Sequence, residues 1–184
     1  MYALPRQNME SARQDVHTAL ATGAGHISAY HLTMEPNTPF GHTPPSGLPH
    51  DDAAQDIEDA VHQALADAGF DHYETSAFAR PGQACRHNLN YWQFGDYLGI
   101  GAGAHGKISY PTHIERTTRR RGPNDYLAAM QGKPAEAIER KRIAAEDLAF
   151  EFMMNALRLH EGVPATLLQE RTGIAPARIA AQIQ

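Results

Sequence analysis

The sequence is poor in cysteine: among 184 residues there is one, Cys85. A lone thiol excludes an intrachain disulfide, a CxxC zinc site and a cluster held only by cysteines of this chain. Long apolar runs are missing too. None approaches the roughly 18 residues a membrane helix needs, so an integral membrane protein is not expected. The N-terminal MYALPRQNMES lacks the basic patch and long apolar core of a secretory signal, and a cytoplasmic location is the expectation. Charged residues make up only 20%, with a net charge of −5 and a pI near 6.1, so no nucleic-acid partner is expected. The 15 glycines and 12 prolines fall short of a low-complexity chain. With 42% apolar residues over 184 positions, the chain can form one packed domain and the start of a second.

Histidine, by contrast, is abundant, with 11 copies. His17, His42, His50, His62 and His160 fall on expected helix surfaces and loops, show no metal-ligand spacing, and read as solvated. His26, His31, His87 and His105 lie among apolar, aromatic or glycine-rich neighbours.

Hydrophobic spacing organises the chain. Asn8 is a plausible N-cap for a helix carrying Met9, Ala12, Val16, Ala19 and Leu20, ended by Gly23 and Gly25. HISAYHLT, residues 26–33, reads as a buried parallel strand, and Met1–Leu4 as the tail of another. A proline-rich loop follows. Asp51 or Asp52 then caps a helix with an apolar face at Ile57, Val61, Ala64, Leu65 and Ala68, closed by Gly69. Tyr73–Phe78 reads as the next strand, which makes a βαβ unit. So few strands cannot close a barrel, and the chain reads as part of something larger.

In YLGIGAGAHGKISY, Gly101, Gly103 and Gly106 satisfy GxGxxG, but a β-like run follows where a dinucleotide site needs a helix N-terminus. Close backbone approach or a bulge beside a ligand explains these glycines better. Arg116, Arg119, Arg120 and Arg121 form the only strong basic run and read as a solvated loop. Beyond residue 122 the pattern turns helical. A short helix follows Pro123, a long one runs from Ile143 to Leu159, and two short ones flank Gly173, from Pro164 to Thr172 and from Pro176 to Ala181. The last pair has helix-turn-helix spacing without a complete recognition helix, and a DNA-binding module is disfavoured by the acidic balance.

Three segments in order, YETSAFARPGQACRHNLNYW, GDYLGIGAGAHG and EFMMNALRL, resemble the oxygen-independent coproporphyrinogen oxidase-like proteins of the radical-SAM superfamily. HISAYHLTMEPNTPF fits the same family, and the resemblance covers residues 1 to about 159. It implies an α/β fold: the C-terminal portion of a partial (β/α) radical-SAM barrel over residues 1–121, then a small helical extension over 122–184. His87-Asn88-Leu89-Asn90-Tyr91-Trp92 is an HNxxYW motif of the kind found in the heme-chaperone branch and not expected in true coproporphyrinogen dehydrogenases.

The resemblance therefore implies heme as ligand, transfer of heme to acceptor hemoproteins, and heme contacts at His87, Asn88, Tyr91 and Trp92, with His87 on the iron. It also implies positions near S-adenosyl-L-methionine at Thr33, Gly103 and His105. The family's CxxxCxxC loop for a 4Fe-4S cluster is absent from the sequence, so a fragment without catalytic residues, prone to self-association, is the expectation. The alternative is a fragment of a coproporphyrinogen oxidase acting in porphyrin biosynthesis.

Read without the family, His87 and Tyr91 are four apart, as are Asn88 and Trp92, so each pair shares a helix face. An imidazole beside large aromatics suits a heme ligand. The competing reading makes Tyr91 and Trp92 core, with His87 and Asn88 bonded to backbone. For His105 the competing reading is a turn histidine.

Overall fold

The computed structural model describes residues 1–180, and Ala181, the last residue of the expected final helix, lies outside them. The described chain forms two compact units, Met1–Cys85 and Arg86 onward. The division falls at a different place from the compositional change near residue 122.

In the first unit, α1 (Met9–Leu20) starts as expected. The Asn8 side chain accepts from the Ser11 amide and the Ser11 hydroxyl accepts from the Asn8 amide, closing a capping box. Strand β1 (His26–Ser28) follows, then a short helix α2 (Pro39–His42) inside the proline-rich loop. Helix α3 (Asp51–Asp67) is capped by His50, whose Nδ1 accepts from the Ala53 amide at 3.2 Å, and not by Asp51 or Asp52. Those carboxylates occupy the first turn instead, where the helix dipole favours negative charge.

The expected strand at residues 73–78 is in fact a hairpin, β2 (Asp71–Glu74) and β3 (Ala77–Ala79), turned at Thr75-Ser76. Strand β3 inserts between the other two and pairs antiparallel with both. β1 and β2 therefore run in the same direction across α3, as a βαβ unit requires, but the expected parallel pairing is replaced by antiparallel ladders. Tyr2 alone makes a parallel bridge, to His31. Val16, Ile57, Val61, Leu65, Phe70 and Phe78 form the core between the helices and this sheet, each apolar side chain stabilising by about 1.5–3 kcal/mol.

The second unit opens with α4 (Arg86–Trp92), then β4 (His105–Ser109) and β5 (Ile114–Arg119). Helix α5 (Pro123–Gly132) and a 3-10 turn (Pro134–Ala137) lead to β6 (Ile138–Arg142), which completes a β4-β5-β6 antiparallel sheet. A strand here departs from the helical expectation. Glu139, Arg140 and Lys141 favour helix by propensity, but the β5 ladder and an Arg140–Glu115 ion pair override it.

Helix α6 (Leu148–Ala156) is shorter than the expected 143–159, because the Ile143 amide still bonds the Ile114 carbonyl at the end of the sheet. Helix α7 (Ala165–Thr172) ends on Gly173 in the left-handed region (φ 75°), and α8 (Ala177–Ala180) follows. Phe94, Ile114, Phe152, Ala156 and Leu168 form the second core. No described helix is long and apolar enough to cross a membrane.

Candidate functional site

All four HNxxYW side chains come from α4. His87 is exposed, and its imidazole stands edge-on to Tyr91, ring centroids 4.5 Å apart at 81°. Tyr91 in turn meets Tyr97 at 4.3 Å. Burial pushes the Tyr91 hydroxyl above its ordinary pKa, and the neighbouring Tyr97 adds to this. The Tyr97 hydroxyl accepts from Arg116 Nη1 at 3.2 Å, and Arg116 Nε donates to Glu151 Oε2 at 2.8 Å. Desolvation works to lower the Arg116 pKa, but the Glu151 carboxylate outweighs it and raises it. Aromatic and ionic contacts thus run from the exposed imidazole through Tyr91, Tyr97 and Arg116 to α6.

Five residues separate His87 from Trp92, which places them on different sides of the helix. Trp92 faces α6, and the Arg158 guanidinium, just beyond the end of that helix, lies 4.4 Å from the indole centroid. The indole Nε1 is buried and has no hydrogen-bond partner among the described residues. Trp92, Arg116, Phe150, Glu151, Met154 and Arg158 line a cleft of about 580 Å³. Asn88 is half-buried on the same helix.

The segment after α4 fixes the helix in place. Phe94 adopts a left-handed backbone (φ 54°) while buried, and a Cβ on Gly95 would sit 2.1 Å from Asn90 Oδ1, so only glycine fits there. Behind it, Lys107 is 1% exposed. Its ammonium donates to Asp96 Oδ1 (2.9 Å), the Phe94 carbonyl (3.0 Å) and Ser109 Oγ (3.2 Å). It also sits 4.3 Å from the Phe94 ring centroid. Burial lowers the Lys107 pKa, with Asp96 opposing. For Asp96 burial acts upward, but hydrogen bonds from Lys107 and Ser109 prevail and hold the carboxyl below its usual range.

The other expected positions fall elsewhere. Thr33 is exposed in the first unit, where its hydroxyl bonds the His31 carbonyl at 3.4 Å. Gly103 (φ 72°) bonds the Arg120 carbonyl in the second unit, and the exposed His105 lies on β4, 3.4 Å from the Thr118 hydroxyl. His105 is thus a strand residue and not a turn histidine. Of the three glycines, only Gly106 is explained by close approach, a Cβ there lying 2.6 Å from Thr117 Oγ1 and 3.0 Å from the Gly99 nitrogen, whereas Gly101 and Gly103 have open space and adopt positive φ (100° and 72°).

Lys107, Arg116 and Arg158 escaped sequence reasoning. Arg116 is a half-buried strand residue and not part of a solvated loop. The alternation in HGKIS, which puts Lys107 on the face of Ile114, was the available signal. Two histidines read as solvated are also engaged. His50 caps α3, and His62 packs on Phe78 with centroids 5.0 Å apart. Among the described residues no group of three or more His, Cys, Asp or Glu is arranged to hold a bare metal ion.

Comparison with known proteins adds relatives. A model described as the HemN C-terminal domain matches residues 143–184. The heme chaperone HemW of Escherichia coli K12 is 47% identical over 184 residues, 100% of this chain and 47% of that protein. The heme chaperone HemW of Haemophilus influenzae is 45% identical over 100% of the chain and 46% of its own length. The chain spans about half the length of these curated relatives. Among solved structures, coproporphyrinogen III oxidase (HemN) from Escherichia coli, a radical SAM enzyme, matches with a TM-score of 0.73 at 16% identity. That match covers 99% of this chain and 46% of the other, and shows a shared fold, in line with the expected barrel portion and extension. Over its whole length the chain is thus similar to about half of the heme chaperone HemW, and its residues 143–184 match the HemN C-terminal domain.

Proposed function

We propose that this chain supplies the heme-binding surface of a HemW-like chaperone that passes heme to acceptor hemoproteins. The observation that carries the reading is the exposed His87 imidazole held edge-on to Tyr91, which itself meets Tyr97 edge-to-face. A heme ligand must present a nitrogen lone pair to solvent from a fixed position, beside apolar surface for the macrocycle. His87 meets the first need and Tyr91 the second, and Asn88 lies on the same turn, while Trp92, the other aromatic of the motif, faces away from His87. The carrier role itself favours an open site, since cargo must also leave.

In this reading Thr33, Gly103 and His105 are the positions that would face S-adenosyl-L-methionine in the intact family. Residues 1–121 belong with the barrel and 122–184 with the C-terminal region, tied together by the β5–β6 ladder. The residues present do not fit a 4Fe-4S cluster, because the half-buried Cys85 is one thiolate where several are needed. The shared fold with coproporphyrinogen III oxidase keeps a porphyrin-oxidising role as the rival, and HNxxYW favours the chaperone.

Hemin titration followed by absorbance tests the reading. Wild type and His17→Ala are expected to give the same saturable Soret band, and His87→Ala a shifted, weaker one. Identical spectra and affinities for all three would overturn His87 as the ligand.

A further inference from the structure

A histidine that binds a metal is ordinarily oriented by a hydrogen bond at its other ring nitrogen. At His87 the orienting contact is a ring, that of Tyr91, edge-on at 4.5 Å. Tyr91 belongs to the same helix, and α4 has only seven residues, too few to hold their shape without tertiary support. That support comes from Tyr97, which lies outside the HNxxYW motif. Its ring meets Tyr91 at 4.3 Å and 67°, the edge-to-face geometry that aromatic pairs favour. Its backbone is fixed to β4 by a two-way bridge, in which Tyr97 and Lys107 each donate an amide to the other's carbonyl at 2.9 Å. Its hydroxyl accepts from Arg116 Nη1 at 3.2 Å, and Arg116 is anchored in turn by Glu151. The half-buried Tyr97 is thus held at its backbone and at its hydroxyl, and it presents the ring between them to α4.

We propose that Tyr97 is a positioning residue for the ligand histidine: through Tyr91 it fixes the direction in which the His87 imidazole is presented. The inference rests on the heme-binding reading above and extends it to a residue outside the motif. Tyr97 acts through Tyr91 and not as a ligand. An exposed imidazole must give up its rotational freedom when it binds iron, and a ring already held edge-on has less freedom to lose. The arrangement also gives the Lys107 cluster a share in the site, because the residue that bonds Asp96 carries the bridge to Tyr97.

The test is a double-mutant cycle on the full chain. Hemin is titrated into wild type, Tyr97→Leu, Tyr97→Phe and His87→Ala, and into each Tyr97 variant combined with His87→Ala. Affinity and Soret position are read together. Tyr97→Leu removes the supporting ring and is expected to weaken hemin about tenfold and to shift the band. Tyr97→Phe keeps the ring but frees it from Arg116, and a loss of about two- to threefold is expected. With His87→Ala already in place, neither substitution should weaken hemin further or move the band, because no imidazole is left to orient. Equal weakening by Tyr97→Leu with and without His87 overturns the positioning role, as does wild-type binding by Tyr97→Leu. Where Tyr97→Leu does not fold, the cycle with Tyr97→Phe decides: a loss that vanishes without His87 supports the role, and no loss, or one that persists, overturns it. A band and affinity indifferent to His87→Ala remove the ligand itself and this inference with it. A His87-dependent band without coupling to Tyr97 keeps the ligand and removes only the positioning.

Discussion

Two charged clusters in the second unit sit within a few residues of each other and behave oppositely. Around Lys107 the polar groups answer one another: the ammonium meets a carboxylate, a carbonyl and a hydroxyl, and Asp96 also accepts from the Ser109 amide and hydroxyl. Around Trp92 a buried N–H is left over, arginines line a cleft, and large apolar side chains face outward. A buried charge with a full set of partners holds structure, and removing it is costly. A cluster with an unanswered donor and outward-facing apolar side chains contributes less to holding the fold. Charge density alone would not have told them apart.

Breaking the closed cluster should have the largest effect. Lys107→Ala removes the only cation bonded to Asp96 among the described residues and opens a void under Phe94. It should cost about 3–5 kcal/mol in urea unfolding followed by circular dichroism. A loss below about 1 kcal/mol would mean that the cluster is not the scaffold.

Acid should loosen the same cluster. In the folded chain, burial acts to raise the Asp96 pKa, but hydrogen bonds from Lys107 and Ser109 prevail and hold the carboxyl below the usual carboxylate range. Its contribution is therefore present above the unfolded pKa and disappears as pH falls through the lower folded value. Asp96→Asn should be less stable than wild type at neutral pH, and the gap should narrow below about pH 4. A gap independent of pH would separate Asp96 from the acid limb.

The open cluster should be nearly silent in stability. Trp92→Phe keeps an aromatic ring under Arg158 and deletes an unsatisfied donor, so its unfolding free energy should stay within about 1 kcal/mol of wild type. A larger loss would reclassify the cleft as core.

The contrast also marks what the sequence could convey. Local signals were readable: the Asn8 capping box, the α3 stripe, Gly173 as a helix stop and the β-run after the glycine-rich loop all depend on neighbours within a few residues. Long-range pairing was not. Strand β6 exists because β5 is beside it, β3 enters between β1 and β2, and Lys107 is buried because Asp96 waits 11 positions earlier in the chain. His50 was missed as a cap because an imidazole rarely takes the place of a nearby carboxylate. At the site, the motif drew attention to α4, and only the structure showed that His87 and Trp92 face different sides of that helix.

The most direct test of heme on α4 uses Trp92, the single tryptophan of the chain. Its fluorescence should be quenched by hemin, saturating at one equivalent in wild type and in His17→Ala. In His87→Ala the quenching should need markedly more hemin. Quenching that rises without saturation, or that is the same in His87→Ala, would contradict heme binding at this helix.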